Sequence, residues 1–89
     1  MKDQTSPQLT AAIMETVNNQ LRDSNPPEAK ETYDRLVASG ISDKEARRLI
    51  AIVLSNEMFE ILKNKEPYNQ QRYIAFLRKL PKLPWDTSK

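Results

Sequence analysis

Between positions 46 and 62 the chain reads Ala-Arg-Arg-Leu-Ile-Ala-Ile-Val-Leu-Ser-Asn-Glu-Met-Phe-Glu-Ile-Leu, with apolar residues recurring at helical spacing. Inside that stretch, Leu49 to Leu54 are apolar on nearly every face of a helix. A helix of this kind must be enclosed by other elements rather than lie on a surface. Three weaker amphipathic stretches supply the enclosure. The pattern predicts an all-α fold, a single small four-helix bundle with helices over about 7–22, 26–39, 43–64 and 69–80 and the third one central. Short connections favour antiparallel neighbours. No strand-like alternation, internal repeat or domain linker interrupts the pattern, so residues 1–89 read as one domain.

The punctuation between these stretches agrees with their periodicity. Ser6 is placed to cap the first helix, with Pro7 at its first position, where a missing N–H costs nothing. Leu9, Ile13, Val17 and Leu21 form its stripe, and Asp-Ser-Asn-Pro-Pro ends it near Arg22. Asn25 is expected to cap the second helix, with Pro26, Pro27 and Glu28 in its first turn and Ala29, Tyr33, Leu36 and Val37 on its apolar face. Gly40 should end it in the left-handed conformation. Ser42 and Glu45 have capping-box spacing, and Ile41 and Ala46 stand where a hydrophobic staple would form. The third helix should run to about Lys63 or Lys65, where basic residues suit the negative end of its dipole. After Glu66-Pro67-Tyr68, Asn69 should cap a fourth helix carrying Tyr73, Phe76, Leu77 and Leu80, stopped by Pro81. Pro-Lys-Leu-Pro-Trp-Asp then reads as an extended tail. The ordered part is expected over about 7–85, with 1–6 and 87–89 frayed.

Composition narrows the chemistry. The 89 residues include neither Cys nor His, and Gly40 is the only glycine. Disulfides, thiolate nucleophiles, Cys/His zinc sites and imidazole bases are therefore excluded, and no glycine-rich phosphate loop can form. The activating imidazole for a serine nucleophile is missing as well. An enzyme is not expected, and no cofactor or metal is expected. Glu57 and Glu60, three apart on the third helix, and Glu31 with Asp34 on the second, read as surface carboxylates rather than acid–base pairs. The polar start of the chain lacks the apolar core of a signal peptide, and the longest apolar run is far shorter than a membrane span. A cytoplasmic protein with no membrane contact is the expectation.

Charge is unevenly spread. Residues 1–62 hold seven Lys/Arg against ten Asp/Glu, a net −3; residues 63–89 hold seven against two, a net +5. That basic third contains Lys79 and Lys82, and favours either an anionic partner or an acidic face of the same molecule. The second helix, the Gly40 turn and the third helix have the order of a DNA-reading helix-turn-helix, with Lys44, Arg47 and Arg48 near the start of the second member. Leu36, however, stands where that motif favours a small residue, and the third helix is too apolar after Arg48 to lie in a groove. A structural hairpin is the better reading, with a phosphate contact by Arg47 and Arg48 as the remaining alternative. In the tail, Leu83 and Trp85 either fold back over an open end of the bundle or anchor a partner. The fold-back is favoured, because a domain of this size needs every apolar group it has. Tyr33, Tyr68 and Tyr73 read as the margin of the core rather than a base-stacking platform.

From Val17 onward the order of features resembles a family of small bacterial helical domains of unknown function. The matching pieces are Asn19-Gln20-Leu21, Asn25-Pro26-Pro27-Glu28, Arg35-Leu36, Gly40-Ile41-Ser42, Glu45-Ala46 and Tyr73, over about residues 10–80. The resemblance implies an all-α fold and a bacterial source, and offers no activity. It also implies a Glu just before Asn-Gln-Leu and a His two residues after Glu-Ala. This chain has Asn18 and Arg48 there, so a polar or metal site built from that pair is not carried over.

The functional expectation is a non-catalytic protein-interaction or structural module that binds a protein partner or a second copy of itself. Its candidate partner-binding residues are Arg47, Arg48, Lys79, Lys82, Leu83 and Trp85. The alternative is a nucleic-acid-binding regulator using Arg47, Arg48 and the basic C-terminal third.

Overall fold

A computed structural model of the chain describes residues 7–83. The described residues form an all-α four-helix bundle, with α1 at Pro7–Asp23, α2 at Pro27–Ala38, α3 at Asp43–Asn64 and α4 at Gln70–Lys79. The limits of α3 are those the pattern predicts, and the others shift by a residue, within the usual fraying of helix ends. Ser6 and Trp85, and the frayed ends expected at 1–6 and 87–89, lie outside the described residues.

Three of the four helices end at a residue with positive φ. Ser24 (φ 51) closes α1, Gly40 (φ 102) closes α2 and Lys65 (φ 57) closes α3. At α2 the Ile41 amide donates to the Leu36 carbonyl at 3.1 Å and the Gly40 amide to the Val37 carbonyl at 3.0 Å. These two bonds are the Schellman pair that satisfies carbonyls left over by the last turn. The same reversal sends Ile41 back onto the core. At α1 the Asn25 amide donates to the Gln20 carbonyl at 3.0 Å. Asn25 therefore completes the end of α1 and does not cap α2, as its side chain was expected to do. The cap position of α2 falls to Pro26, which has extended backbone and makes no side-chain capping bond.

α3 begins as its sequence predicts, with the Ser42 hydroxyl accepting from the Glu45 amide at 3.1 Å. The reciprocal half of the capping box is not made. Arg48 takes the Glu45 carboxylate instead, through Nε at 2.8 Å and Nη2 at 2.7 Å. Charge-assisted bonds of that bidentate kind outcompete a single bond to a backbone amide. At α4, Asn69 caps as expected, accepting from the Arg72 amide at 3.0 Å.

The core follows the predicted stripes. Ile13, Val17 and Leu21 bury the inner face of α1, Ala29 and Leu36 that of α2, and Tyr73 and Leu77 that of α4. Of residues 49–54 on α3, all but Ile52 are buried, so the apolar-all-round stretch is enclosed over most of its circumference. α3 packs closely against each of the other helices, and so does α2, while the backbones of α1 and α4 stay apart. One side chain spans the space between those two. The Tyr73 hydroxyl donates to Gln20 Oε1 at 2.7 Å, and its ring is fully buried rather than marginal. Leu9 and Val37 depart from expectation, at 42% and 40% exposure. Each sits in a terminal turn, Leu9 at the start of α1 and Val37 at the end of α2, where neighbouring helices cover less of the circumference.

α2 also holds the end of α4. Arg35 donates from Nη1 to the Leu80 carbonyl at 2.6 Å, and from Nη2 to the carbonyls of Leu77 at 3.1 Å and Arg78 at 3.4 Å. A guanidinium placed there answers both the unsatisfied carbonyls and the negative end of the α4 dipole.

A Cβ at Gly40 would meet nothing within 4 Å, so only its positive φ opposes substitution. Gly40→Ala should lower the unfolding free energy by about 1 kcal/mol, and Lys65→Gly should raise it by about 0.5–1 kcal/mol. Urea denaturation midpoints at unchanged slope measure both.

Candidate interaction surface

The junction of α3 and α4 is held by a buried charge. Glu57 follows Val53 by four residues and Leu54 by three, which places it on the inner face of α3, and it is only 1% exposed. Its Oε1 accepts from Arg72 Nε at 2.7 Å, and its Oε2 from Arg72 Nη2 and the Asn69 amide, each at 3.0 Å. Arg72 then reaches outward to Glu66, donating from Nη1 at 3.1 Å. The carboxylate thus sits at the N-terminus of α4, where amide donors and the positive dipole end favour negative charge. This corrects the surface reading of Glu57. Glu60, its expected companion, is only half-buried and accepts from Asn64 Nδ2 at 2.8 Å. Asp34 is exposed and paired with Lys30, and Glu31 is exposed.

Burial works against the charged form of Glu57, but the Arg72 guanidinium and the Asn69 amide outweigh it, so its pKa lies below the ordinary glutamate value. The same contacts hold the Arg72 guanidinium more firmly protonated. Beside them, Tyr68 and Tyr73 face each other with ring centroids 6.3 Å apart and planes tilted by 55°. Burial pushes both phenols above their usual range. All three partners of the Glu57 carboxylate belong to its own chain, and the 66–72 segment outside it forms only an open, shallow depression.

Glu57 is also the last buried residue of α3. The helix runs on for seven residues to Asn64, about 10 Å, and none of residues 58–64 is buried. Phe59 and Leu62 stand 62% and 75% exposed on this overhang, and Tyr68 just beyond it is 47% exposed. Met58 turns inward against the core. At 100° per residue, Phe59 and Leu62 lie on the side of α3 away from Ile50, Val53 and Glu57. Neither residue is among the candidate partner-binding residues that the sequence suggests. The available signal was an apolar pattern continuing past the point where α4 turns back.

The residues singled out from sequence do not converge. Arg47 binds Asp43 through Nε at 2.8 Å and Asn18 through Nη1 at 2.6 Å, and it stacks 5.2 Å from the centre of the Tyr33 ring. Tyr33 donates its hydroxyl to the same Asp43 carboxylate. Hydrogen bonds from Tyr33 and Arg47 hold the Asp43 carboxyl below the usual carboxylate range. Arg48 is forked onto Glu45. Both guanidiniums are therefore already matched by carboxylates. At the far end of α4, Lys79 and Lys82 are exposed, with the Lys79 ammonium 5.7 Å from the centre of the Phe76 ring. Leu83 packs partly buried against the core, in line with the fold-back reading.

Among the described residues, no group of three or more acidic side chains is placed to hold a metal ion. No helix there is long and apolar enough to cross a membrane. Comparison of the chain with protein-family models, with curated proteins and with solved structures finds no match.

Removing the Glu57 carboxylate leaves Arg72 and the Asn69 amide without their main acceptor. Glu57→Ala should cost about 3 kcal/mol of stability, the lower part of the range for breaking a buried pair, because Glu66 still faces Arg72. The depressed pKa fixes the sign of the pH effect. Above the unfolded glutamate value, about 4.3, the stabilising contribution is complete; it is lost as pH falls through the lower folded value. Acid unfolding of Glu57→Gln should therefore show a shallower fall in stability below about pH 4.3 than the unsubstituted chain does, measured by urea titration across that window.

Proposed function

We propose that this chain is a non-catalytic protein-interaction module, a cytoplasmic accessory of a larger assembly, from the bacterial source that the resembled family implies. The observation that carries the reading is the overhang of α3, where Phe59 and Leu62 are the most exposed large apolar side chains among the described residues. Exposed apolar side chains grouped on one helix face mark interaction sites more often than isolated ones do. The two carboxylates of α3 nearest that face are taken up within the chain, Glu57 by Arg72 and the Asn69 amide and Glu60 by Asn64, which favours contact over general acid–base work. A partner docking here would cover the α3 face beyond Glu57, with Tyr68 at its margin.

A basic surface supports a second reading, a nucleic-acid-binding regulator. Arg78, Lys79 and Lys82 have no carboxylate within ion-pair distance among the described residues. Arg47 and Arg48 add less to this reading than their positions promised, because a phosphate would have to displace Asp43 and Glu45.

Immobilised chain and its Phe59→Gln/Leu62→Gln variant separate the two readings. The interaction module should retain a protein partner that the variant releases, with retention changing little between low and moderate salt. Equal retention by both forms would count against the α3 surface. A mobility shift with duplex DNA or RNA that fades steeply with salt, and is unaffected by the variant, would establish the nucleic-acid reading instead.

A further inference from the structure

The end of α4 opposite the Glu57 site carries positive charge without anionic partners. Residues 67–83 contain no Asp or Glu and include Arg72, Arg78, Lys79 and Lys82. Arg72 is taken up by Glu57 and Glu66. Arg78, Lys79 and Lys82 are exposed and take part in no ion pair among the described residues. Arg35 joins them from α2. Its guanidinium binds only the carbonyls of Leu77, Arg78 and Leu80, so its charge is not neutralised. Glu31, four residues before it on α2, has the spacing of a helix ion pair but makes none with Arg35.

Cations near a helix C-terminus ordinarily answer its last carbonyls. Here those carbonyls already have donors. Arg35 takes the ones of Leu77, Arg78 and Leu80, and the Lys82 amide donates to the Lys79 carbonyl at 2.9 Å. The side chains of Arg78, Lys79 and Lys82 are therefore left over. Their frame is also fixed. The bond from Lys82 to Lys79 closes a four-residue turn, which holds the two Cα atoms within about 7 Å. Buried Leu80 and half-buried Leu83 anchor that turn on the core, and Arg35 clasps its Leu80 carbonyl.

Such a patch recognises charge rather than shape. A protein partner gains most of its affinity from large side chains seated in packed pockets. The turn offers no such anchor, since Leu80 is buried, Leu83 packs on its own core and Phe76 is half-buried beside the Lys79 ammonium. A nucleic-acid backbone needs only cations, and a duplex presents a negative charge about every 1.7 Å of its axis, so several phosphates lie within reach of one turn. Residues 76–83 include no Asn, Gln, Ser or Thr to read base edges, which leaves phosphate contact as the mode that fits.

We infer that the basic turn after α4, Arg78, Lys79 and Lys82 together with Arg35, is a surface for the phosphate backbone of nucleic acid, indifferent to base sequence. It deepens the nucleic-acid reading, on which it rests, and seats it away from Arg47 and Arg48. The ten residues of α4, about 15 Å, separate the turn from the α3 overhang, so a protein docked there does not compete for it.

Fluorescence anisotropy of a labelled duplex of about 20 base pairs, titrated with the full chain, tests this. Affinity should fall between about 50 and 200 mM salt with a log–log slope of about −3, as three or four phosphate contacts require, and a duplex of shuffled sequence should bind within about twofold. Lys79→Gln/Lys82→Gln should weaken binding about tenfold or more at the low-salt end and flatten the slope by about 2, with helical circular dichroism and urea midpoint unchanged. Lys79→Arg/Lys82→Arg should restore both. Lys63→Gln/Lys65→Gln removes the same charge elsewhere and should change affinity by less than about threefold. Absence of binding at the low-salt end overturns the inference, as does equal weakening by the two glutamine pairs. Duplex binding that Lys79→Gln/Lys82→Gln leaves unchanged also overturns it, while the nucleic-acid reading survives on another surface. A glutamate-rich peptide that displaces the labelled duplex better than unlabelled duplex does, at equal charge, assigns the turn to an acidic protein and overturns it too. Release of a protein partner by Phe59→Gln/Leu62→Gln is measured separately and does not depend on any of these results.

Discussion

The arrangement turns on one carboxylate withdrawn from water. Among the described residues Glu57 is the only charged side chain that is buried, and it is tolerated because three donors converge on it, two from Arg72 and one from the Asn69 amide. A carboxylate left unpaired at that depth would instead carry a large desolvation cost. The site also fixes geometry. Arg72 and Asn69 lie in the first turn and cap of α4, so the interaction sets where the chain turns back on α3 and at what level α4 begins. The overhang follows from that level. Residues beyond Glu57 project past the point where α4 docks, and Phe59 and Leu62 are exposed because no element of the described chain extends that far.

Much of this architecture is legible from residue pattern, for a physical reason: helix ends and apolar faces are local properties. The Ser42 cap, the Gly40 reversal and the Asn69 cap each depend on a few adjacent residues, and each occurs where those residues place it. The enclosure of residues 49–54 follows from their own composition. What pattern misreads is what depends on a neighbouring element. Glu57 occupies an apolar register, but sorting by residue class places a carboxylate outside; Arg72 and the Asn69 amide, fifteen and twelve positions away, reverse that. Glu45 was expected to complete a local box, and a competing partner three residues along takes it. Asn25 was assigned forward to α2, while its amide is used backward by α1.

The candidate surface was less legible than the fold. Arg47, Arg48, Lys79 and Lys82 were singled out as charges, yet the value of a charge to a partner depends on whether its own chain has already matched it. Asp43, Glu45 and Asn18 do so for the two arginines. Phe59 and Leu62 were overlooked for the converse reason. An apolar residue on a helix reads as core, and exposure arises only when the lengths of the surrounding helices are known.

The clasp of Arg35 on the last carbonyls of α4 has its own consequence. A helix of ten residues has little tendency to persist in water by itself. Here its two termini are gripped by oppositely signed side chains from different helices, the anion of α3 at one end and the cation of α2 at the other. Peeling α4 away from either helix releases a grip while the other still holds. Partial detachment therefore gains little freedom, and the short helix shares the fate of the two it bridges, opening with them as one cooperative unit rather than fraying ahead of them.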